Sequence, residues 1–174
     1  MSCYAWLVIL GTTGAVLFCL LGGWIFQSKF AVQTSLKGAE LAIQTLGDWS
    51  KWMAGIDTAA IAGLAYLCFK PETHDPVTLK GWSFFFAVLG LVTLGLALLS
   101  VAWILSSLAS FAVRIYSKDD PEWSGKFDIH EGKMFARGGP KLSFIVTTHH
   151  WLWGCGLISA AALIIVRVVG APTP

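Results

Sequence analysis

Four apolar segments divide the chain, and they are separated by polar loops. They cover residues 3–26, 52–69, 82–113 and 142–166, and the run from 81 to 113 contains no formal charge. The hydrocarbon core of a bilayer is about 30 Å thick and is crossed by a helix of about 17 to 25 apolar residues. The pattern therefore predicts an all-α integral membrane protein, a single membrane domain (1–174) with four transmembrane helices.

Between the first two spans, polar and apolar residues alternate with helical spacing. The apolar stripe contains Ala39, Ile43 and Leu46, and the polar positions recur every three or four residues on the opposite side. This predicts an amphipathic helix over 29–51 that continues into the second span, since no proline separates them. The stripe favours a helix that lies on the membrane interface or packs on its own bundle. A coiled-coil contact between subunits is the alternative.

The basic residues are distributed unevenly between the two sides that four crossings would create. Nine lie in the two longer loops, whereas three lie near the short loop and the C-terminal end of the last span. Under the positive-inside rule, the loops 27–51 and 114–141 are predicted to be cytoplasmic and both termini to lie outside. We expect a multi-pass protein of the plasma (inner) membrane. The predicted side of the C-terminus depends on the second span: if that span does not cross, the C-terminus lies in the cytoplasm.

Composition agrees with a membrane protein: 56% of the residues are hydrophobic and 13% are charged. The net charge of +2 does not suggest direct nucleic-acid binding. The four cysteines show no CxxC spacing and are expected to be small packing residues. No phosphate-binding loop, nucleophile elbow or metal-ligand spacing occurs, so we predict no enzyme activity, no cofactor and no metal.

Small residues recur at four-residue intervals on two spans. They are Gly55, Ala59 and Gly63 on the second span, and Ala102, Ser106 and Ser110 on the third. Such stripes allow close approach of another helix inside a membrane. They predict helix packing, with contacts inside the chain favoured over contacts between subunits.

Asp57 is an ionisable residue inside an apparent span, which makes it a candidate functional group. It lies five positions after Trp52, about 7.5 Å deeper if that tryptophan marks an interface. Three interpretations remain open: a solvated acid near the interface, a polar contact between helices, or part of an ion or proton pathway.

His149 and His150 lie in the fourth span beside Trp151 and Trp153. An imidazole can bind haem iron or another metal. On a helix, however, adjacent residues are about 100° apart and cannot readily face one metal. We therefore favour interfacial anchoring or hydrogen bonding, with cofactor ligation as the alternative.

The loop 114–141 combines six bases and five acids with apolar side chains. This mixture is typical of a docking surface for a cytoplasmic protein or for anionic lipids. The candidate docking residues are Trp123, Lys126, Phe127, Lys133, Phe135 and Arg137. Residues 126–137 also have the pattern of a weak hairpin that turns near residues 131–132.

These patterns favour a non-enzymatic membrane subunit that is oligomeric or part of a membrane complex, and that acts as a sensor or anchor for a cytoplasmic partner. A signalling or defence role is compatible with it. The first alternative is an oligomeric channel whose water path is lined by Asp57, Thr58, Ser106 and Ser107. The second is a haem- or quinone-associated subunit built around His149 or His150.

Overall fold

The computed structural model describes residues 3–26, 36–69, 81–116, 133–135 and 138–169. They form four helices and one short hairpin: α1 (Cys3–Phe26), α2 (Leu36–Phe69), α3 (Trp82–Tyr116), β1 (Lys133–Phe135), β2 (Gly138–Lys141) and α4 (Leu142–Val169). Within these residues, α1, α3 and α4 are long and apolar enough to cross a membrane.

Helix α2 is continuous over 34 residues and includes most of the amphipathic segment and the whole of the apolar segment that follows it. Residues 29–35 of the predicted amphipathic helix lie outside the described residues. Polar residues in the first half of α2, together with Asp57, make it less apolar than the other three helices.

Helix α3 lies at the centre of the bundle, packing most extensively on α4 and then on α2, while α1 packs mainly on α4. The Tyr4 hydroxyl donates to the carbonyl oxygen of Gly81, so α1 and α3 begin at the same end of the bundle. Arg167 donates to the carbonyl oxygen of Leu67, so α2 and α4 finish together. Cys68 near the end of α2 shares a buried cluster with Ala87 near the start of α3, which places both helix ends at the end of the bundle where α3 begins. We call it the Tyr4 end, and the opposite one the hairpin end.

At the hairpin end, the apolar stripe of α2 packs inside its own chain. Ala39 belongs to one buried cluster with Ile104 and Phe111 of α3 and with Leu142 and Ile145 of α4. Ile43 and Leu46 pack against this cluster, as the intrachain alternative predicted. We call residues 36–51, 104–116 and 142–147 the stalk.

Three glycines allow the helices to approach each other closely. A Cβ atom at Gly156 would lie 2.5 Å from Cγ of Leu94, and one at Gly90 would lie 2.7 Å from Cδ2 of Leu64. At Gly23, a Cβ atom would overlap the side chain of Thr148. A larger residue at any of these three positions would therefore clash with a side chain of the neighbouring helix.

The stripe of Gly55, Ala59 and Gly63 on α2, in contrast, faces away from the neighbouring helices. All three residues are exposed, and a Cβ atom at either glycine would have open space around it. On α3, Ala102 and Ser106 are exposed and Ser110 is half-buried. The stripe on α2 thus makes no close helix contact within the described part of the chain, contrary to the intrachain packing that we favoured from the sequence.

The hairpin differs in register from the one suggested by the sequence. The strands β1 and β2 are antiparallel and pair Lys133 with Lys141 and Phe135 with Gly138. Residues 136–137, which separate the two strands in the sequence, lie outside the described residues. In β2, Gly139 has a φ of 110°, which favours glycine. The strand that we expected before a turn at 131–132 lies outside the described residues.

Candidate functional site

Three helices bring polar side chains together in the interior of the bundle. Asp57 comes from α2, Ser100 from α3 and His149 from α4. Asp57 and His149 have no exposed surface, and Ser100 is buried as well. We call these three residues the buried polar cluster. Groups of this kind are costly to bury unless they compensate one another.

Hydrogen bonds to α3 determine which nitrogen of His149 carries a proton. Nδ1 of His149 lies 3.2 Å from the carbonyl oxygen of Ala97 and 3.2 Å from Oγ of Ser100. A carbonyl oxygen only accepts, so Nδ1 is the donor. Ser100 in turn donates to the carbonyl oxygen of Ala97 over 2.6 Å and can accept from Nδ1. When the imidazole is neutral, its lone pair is consequently on Nε2, a buried atom without a partner among the described residues.

The carboxylate of Asp57 lies beside the same imidazole. Oδ2 of Asp57 is 3.9 Å from Nδ1 of His149, which is too long for a hydrogen bond but close enough for strong electrostatic coupling. Neither carboxylate oxygen has a hydrogen-bond partner within the described structure. A charge on one group alone would be poorly compensated in this interior, whereas opposite charges on both would stabilise each other. At 3.9 Å, a charge on either group would act directly on the other.

Trp49 connects this pair to the stalk. Its ring lies edge-on to His149, with the centroids 5.4 Å apart, and stacks on His150 at 5.7 Å and 20°. His150 is exposed, and its Nδ1 donates to the carbonyl oxygen of Val146 over 2.7 Å. The two histidines differ accordingly: His149 belongs to the interior, whereas His150 lies on the surface of the bundle.

A metal or haem ligand role is not favoured by this geometry. The described residues contain no group of three or more His, Cys, Asp or Glu side chains that could hold a metal ion. The rings of His149 and His150 are nearly perpendicular, at 84°, so they do not face one ion. His149 is also fully enclosed, and an iron at its Nε2 would require the surrounding helices to move apart.

The residues considered for a channel do not share one face. Thr58 and Ser106 are exposed, whereas Asp57 and Ser107 are buried. The three hydroxyls donate to carbonyl oxygens of their own helices, those of Ala54, Trp103 and Ile104. Their arrangement gives no support to a water path through them.

The candidate docking residues fall mostly beyond the described part of the chain. Trp123, Lys126, Phe127 and Arg137 lie outside it, while Lys133 and Phe135 belong to β1. Asp57 and His149, in contrast, were singled out from the sequence and are brought together by the fold. Sequence reasoning missed their partners Ser100 and Trp49, because no spacing rule connects residues on separate helices.

Comparison with protein-family models, with curated proteins and with solved structures finds no match to this chain.

Proposed function

We propose that this chain is a non-enzymatic, four-span protein of the inner membrane that acts as a sensor or anchor. In this proposal the Asp57–His149 pair is the responsive element inside the membrane, and the stalk carries its state to the cytoplasmic side. One observation supports it above all: α2 is a single helix that contains Asp57, the Trp49 ring in contact with both histidines, and the stalk residues around Ala39.

Exposed tryptophans support the membrane placement. Trp82 and Trp103 of α3 are 68% and 42% exposed, and they are 21 positions apart, about 31 Å along a helix. That span matches a hydrocarbon core of about 30 Å, and tryptophan is enriched at its two boundaries. On α1, the exposed Trp6 and Trp24 are 18 positions apart, about 27 Å. Two levels of tryptophan thus mark the two faces of the proposed membrane.

The course of α2 supports a fourth span. Leu64 packs where Gly90 leaves space on α3, and a Cβ atom at Gly47 would lie 3.3 Å from Cδ1 of Leu108, so α2 runs antiparallel beside α3. Trp52 lies between these two contacts on α2, and Trp103 lies between them on α3. The exposed Trp52 is therefore at about the same height in the bundle as Trp103. From Trp52 to the end of α2 at residue 69 is about 26 Å, close to the thickness of the core.

The charge distribution supports an orientation with the stalk in the cytoplasm and both termini outside. The loop 114–141, which belongs to the stalk side, is then available to a cytoplasmic protein or to anionic lipids. The outward stripe of Gly55, Ala59 and Gly63 offers a surface for a second copy or another membrane subunit.

The physical basis for a response is the coupling inside the pair. Gain or loss of a proton by one partner alone would leave a charge in the pair that is poorly compensated in a low-dielectric interior. Trp49 of α2 is part of the stalk and lies against His149 and His150. Movement of either imidazole would therefore displace a side chain of the stalk.

The membrane topology is tested with reporter fusions in cells. Reporters placed at the C-terminus and within the loop 114–141 should report the outer side and the cytoplasm, respectively. A cytoplasmic C-terminus would mean that α2 does not cross, and the four-span arrangement would be abandoned.

The sensor role is tested by hydrogen exchange, read by mass spectrometry, on the full chain in lipid nanodiscs. We expect Asp57→Asn to change exchange in the stalk segments 36–51 and 104–116. Asp48→Asn is the matched control, because Asp48 is an exposed acid of the same helix whose Oδ1 lies 3.3 Å from Nζ of Lys51. If Asp57→Asn leaves the stalk exchange as it is in the unmodified protein, the pair is not the responsive element.

A further inference from the structure

Asp57 is an acid enclosed in the interior of the bundle. Its side chain has no exposed surface, and neither carboxylate oxygen has a hydrogen-bond partner among the described residues. Burial removes the water that would stabilise a negative charge, so it favours the neutral form of a carboxyl group. Only a neighbouring cation or several hydrogen-bond donors could offset this effect.

No lysine or arginine lies beside Asp57 in the described helices. Helix α1 has no charged residue, and the first basic residues along α3 and α4 are Arg114 and Arg167, near their ends. Arg167 reaches the carbonyl oxygen of Leu67, ten positions or about 15 Å along α2 from Asp57. On α2 itself, the nearest base is Lys51, whose side chain is exposed to solvent. The titratable groups that remain near Asp57 are the two histidines of α4.

His149 does not supply the missing positive charge. Its Nδ1 donates to the carbonyl oxygen of Ala97, and Oδ2 of Asp57 lies 3.9 Å from that nitrogen, beyond hydrogen-bonding distance. A second proton on the imidazole would have to bind at Nε2, a buried atom without a partner in the described structure. The other histidine, His150, is exposed on the outside of the bundle. A buried ion pair is stable only when hydrogen bonds join or surround its charges, and this geometry provides none for Asp57.

We propose that Asp57 binds a proton in this fold, so that the buried polar cluster contains a neutral carboxyl group beside a neutral imidazole. An unpaired neutral group costs much less free energy in the interior than an unpaired charge does. Release of the proton creates a negative charge 3.9 Å from Nδ1 of His149. The proton is exchanged during local opening of the helices, so the site requires no permanent passage to water.

A proton is accordingly the stimulus class that this site assigns to the proposed sensor, and this step rests on the proposed function. Loss of the proton places a charge on α2, the helix that also contains Trp49 and the stalk residues around Ala39. It also gives a direction to the stalk exchange experiment. Asparagine cannot ionise, so Asp57→Asn should slow exchange in the stalk by removing the ionised state from the ensemble.

The proton on Asp57 is tested by infrared spectroscopy of the full chain in a detergent without carbonyl groups. A protonated carboxyl group has a C=O stretching band above the amide I band, and the band moves to lower frequency in deuterium oxide. At neutral pH we expect this band in the unmodified protein and its loss in Asp57→Asn. Asp48→Asn is the matched control and should keep the band, because the exposed Asp48 beside Lys51 is ionised in either case.

Two further measurements keep the test decisive if Asp57→Asn does not fold. Labelling the carboxyl carbon of aspartate with carbon-13 should shift the band, which assigns it to an aspartate. In His149→Gln, a carboxyl group that is already neutral should keep its band. An ion pair would instead give no band in the unmodified protein and a new band in His149→Gln.

Absence of the band from the unmodified protein overturns the proposal, as does a band of unchanged intensity in Asp57→Asn. Neither outcome depends on the reporter fusions or on stalk exchange. A protonated Asp57 together with unchanged stalk exchange would reject the sensor role and leave the proton site standing, so the two proposals fail separately.

Discussion

The Asp57 carboxylate of α2 and the His149 imidazole of α4 face each other across 3.9 Å, and neither side chain has exposed surface. The backbones of these two helices approach each other at few points, since α3 lies between most of α2 and α4. A pair of ionisable groups in such a place constrains the relative position of two helices. The same isolation makes the pair sensitive to any change that affects one partner alone.

This coupling predicts non-additive effects on stability. Asp57→Asn and His149→Gln should each change the free energy of unfolding, and the double variant should differ from the sum of the single effects by about 1–3 kcal/mol. The measurement is unfolding of the full chain in mixed micelles with increasing denaturing detergent. Effects that add within about 0.5 kcal/mol would show that the two groups act independently.

Trp49 is predicted to contribute more to stability than its neighbour Trp52. Trp49 packs on both histidines, whereas Trp52 is exposed on the outside of α2. Trp49→Ala should lower the free energy of unfolding by about 3 kcal/mol, typical of removing a large packed aromatic side chain. Trp52→Ala, measured by the same unfolding assay, should cost clearly less. Equal losses would mean that the contacts of Trp49 are not a special feature of the site.

The glycines are predicted to divide into two groups. Gly156→Ala places a methyl group against Leu94 and should destabilise the bundle by about 1–3 kcal/mol, as overpacking does. Gly63→Ala places it in open space and should be neutral or stabilising by up to about 1 kcal/mol through helix propensity. Unfolding measurements on the two variants check this order.

The Gly63 substitution also probes self-association. If the outward stripe of Gly55, Ala59 and Gly63 joins two copies, Gly63→Ala should reduce the dimer fraction in cross-linking or single-molecule counting while the monomer keeps its stability. Gly14→Ala is a matched control, since Gly14 likewise has open space around it but lies on α1. An unchanged dimer fraction, or no dimer in the unmodified protein, would argue against this surface as an interface.

Cys19 and Cys155 are predicted to form a disulfide under mild oxidation. Cys19 of α1 belongs to a buried cluster against which Cys155 of α4 packs. A membrane-permeant oxidant should therefore remove two thiols and link α1 to α4. Peptide mapping checks this, with Cys68 of α2 expected to remain a thiol. In Cys19→Ser, Cys155 should stay reactive; persistence of all thiols in the unmodified chain would contradict the α1–α4 packing.

The sequence indicated a helical chain because its apolar runs are long enough to cross a membrane as helices, which pair their backbone groups within the segment. It also indicated which face of the stalk portion of α2 would be buried. There the polar and apolar residues alternate with helical period, and the packing of Ala39, Ile43 and Leu46 in one cluster agrees with that stripe.

Only the tertiary structure decided how the apolar helices meet. In α1, α3 and α4 nearly every face is apolar, so no period in the sequence distinguishes a face that packs from one that is exposed. For this reason the stripe at Gly55, Ala59 and Gly63 suggested internal packing, yet it faces outward, while Gly23 and Gly90 make the close contacts. The contact between Asp57, Ser100 and His149 could not be read from the sequence for the same reason. It depends on how three helices are rotated about their axes, and that rotation is determined by the fit of side chains from distant segments.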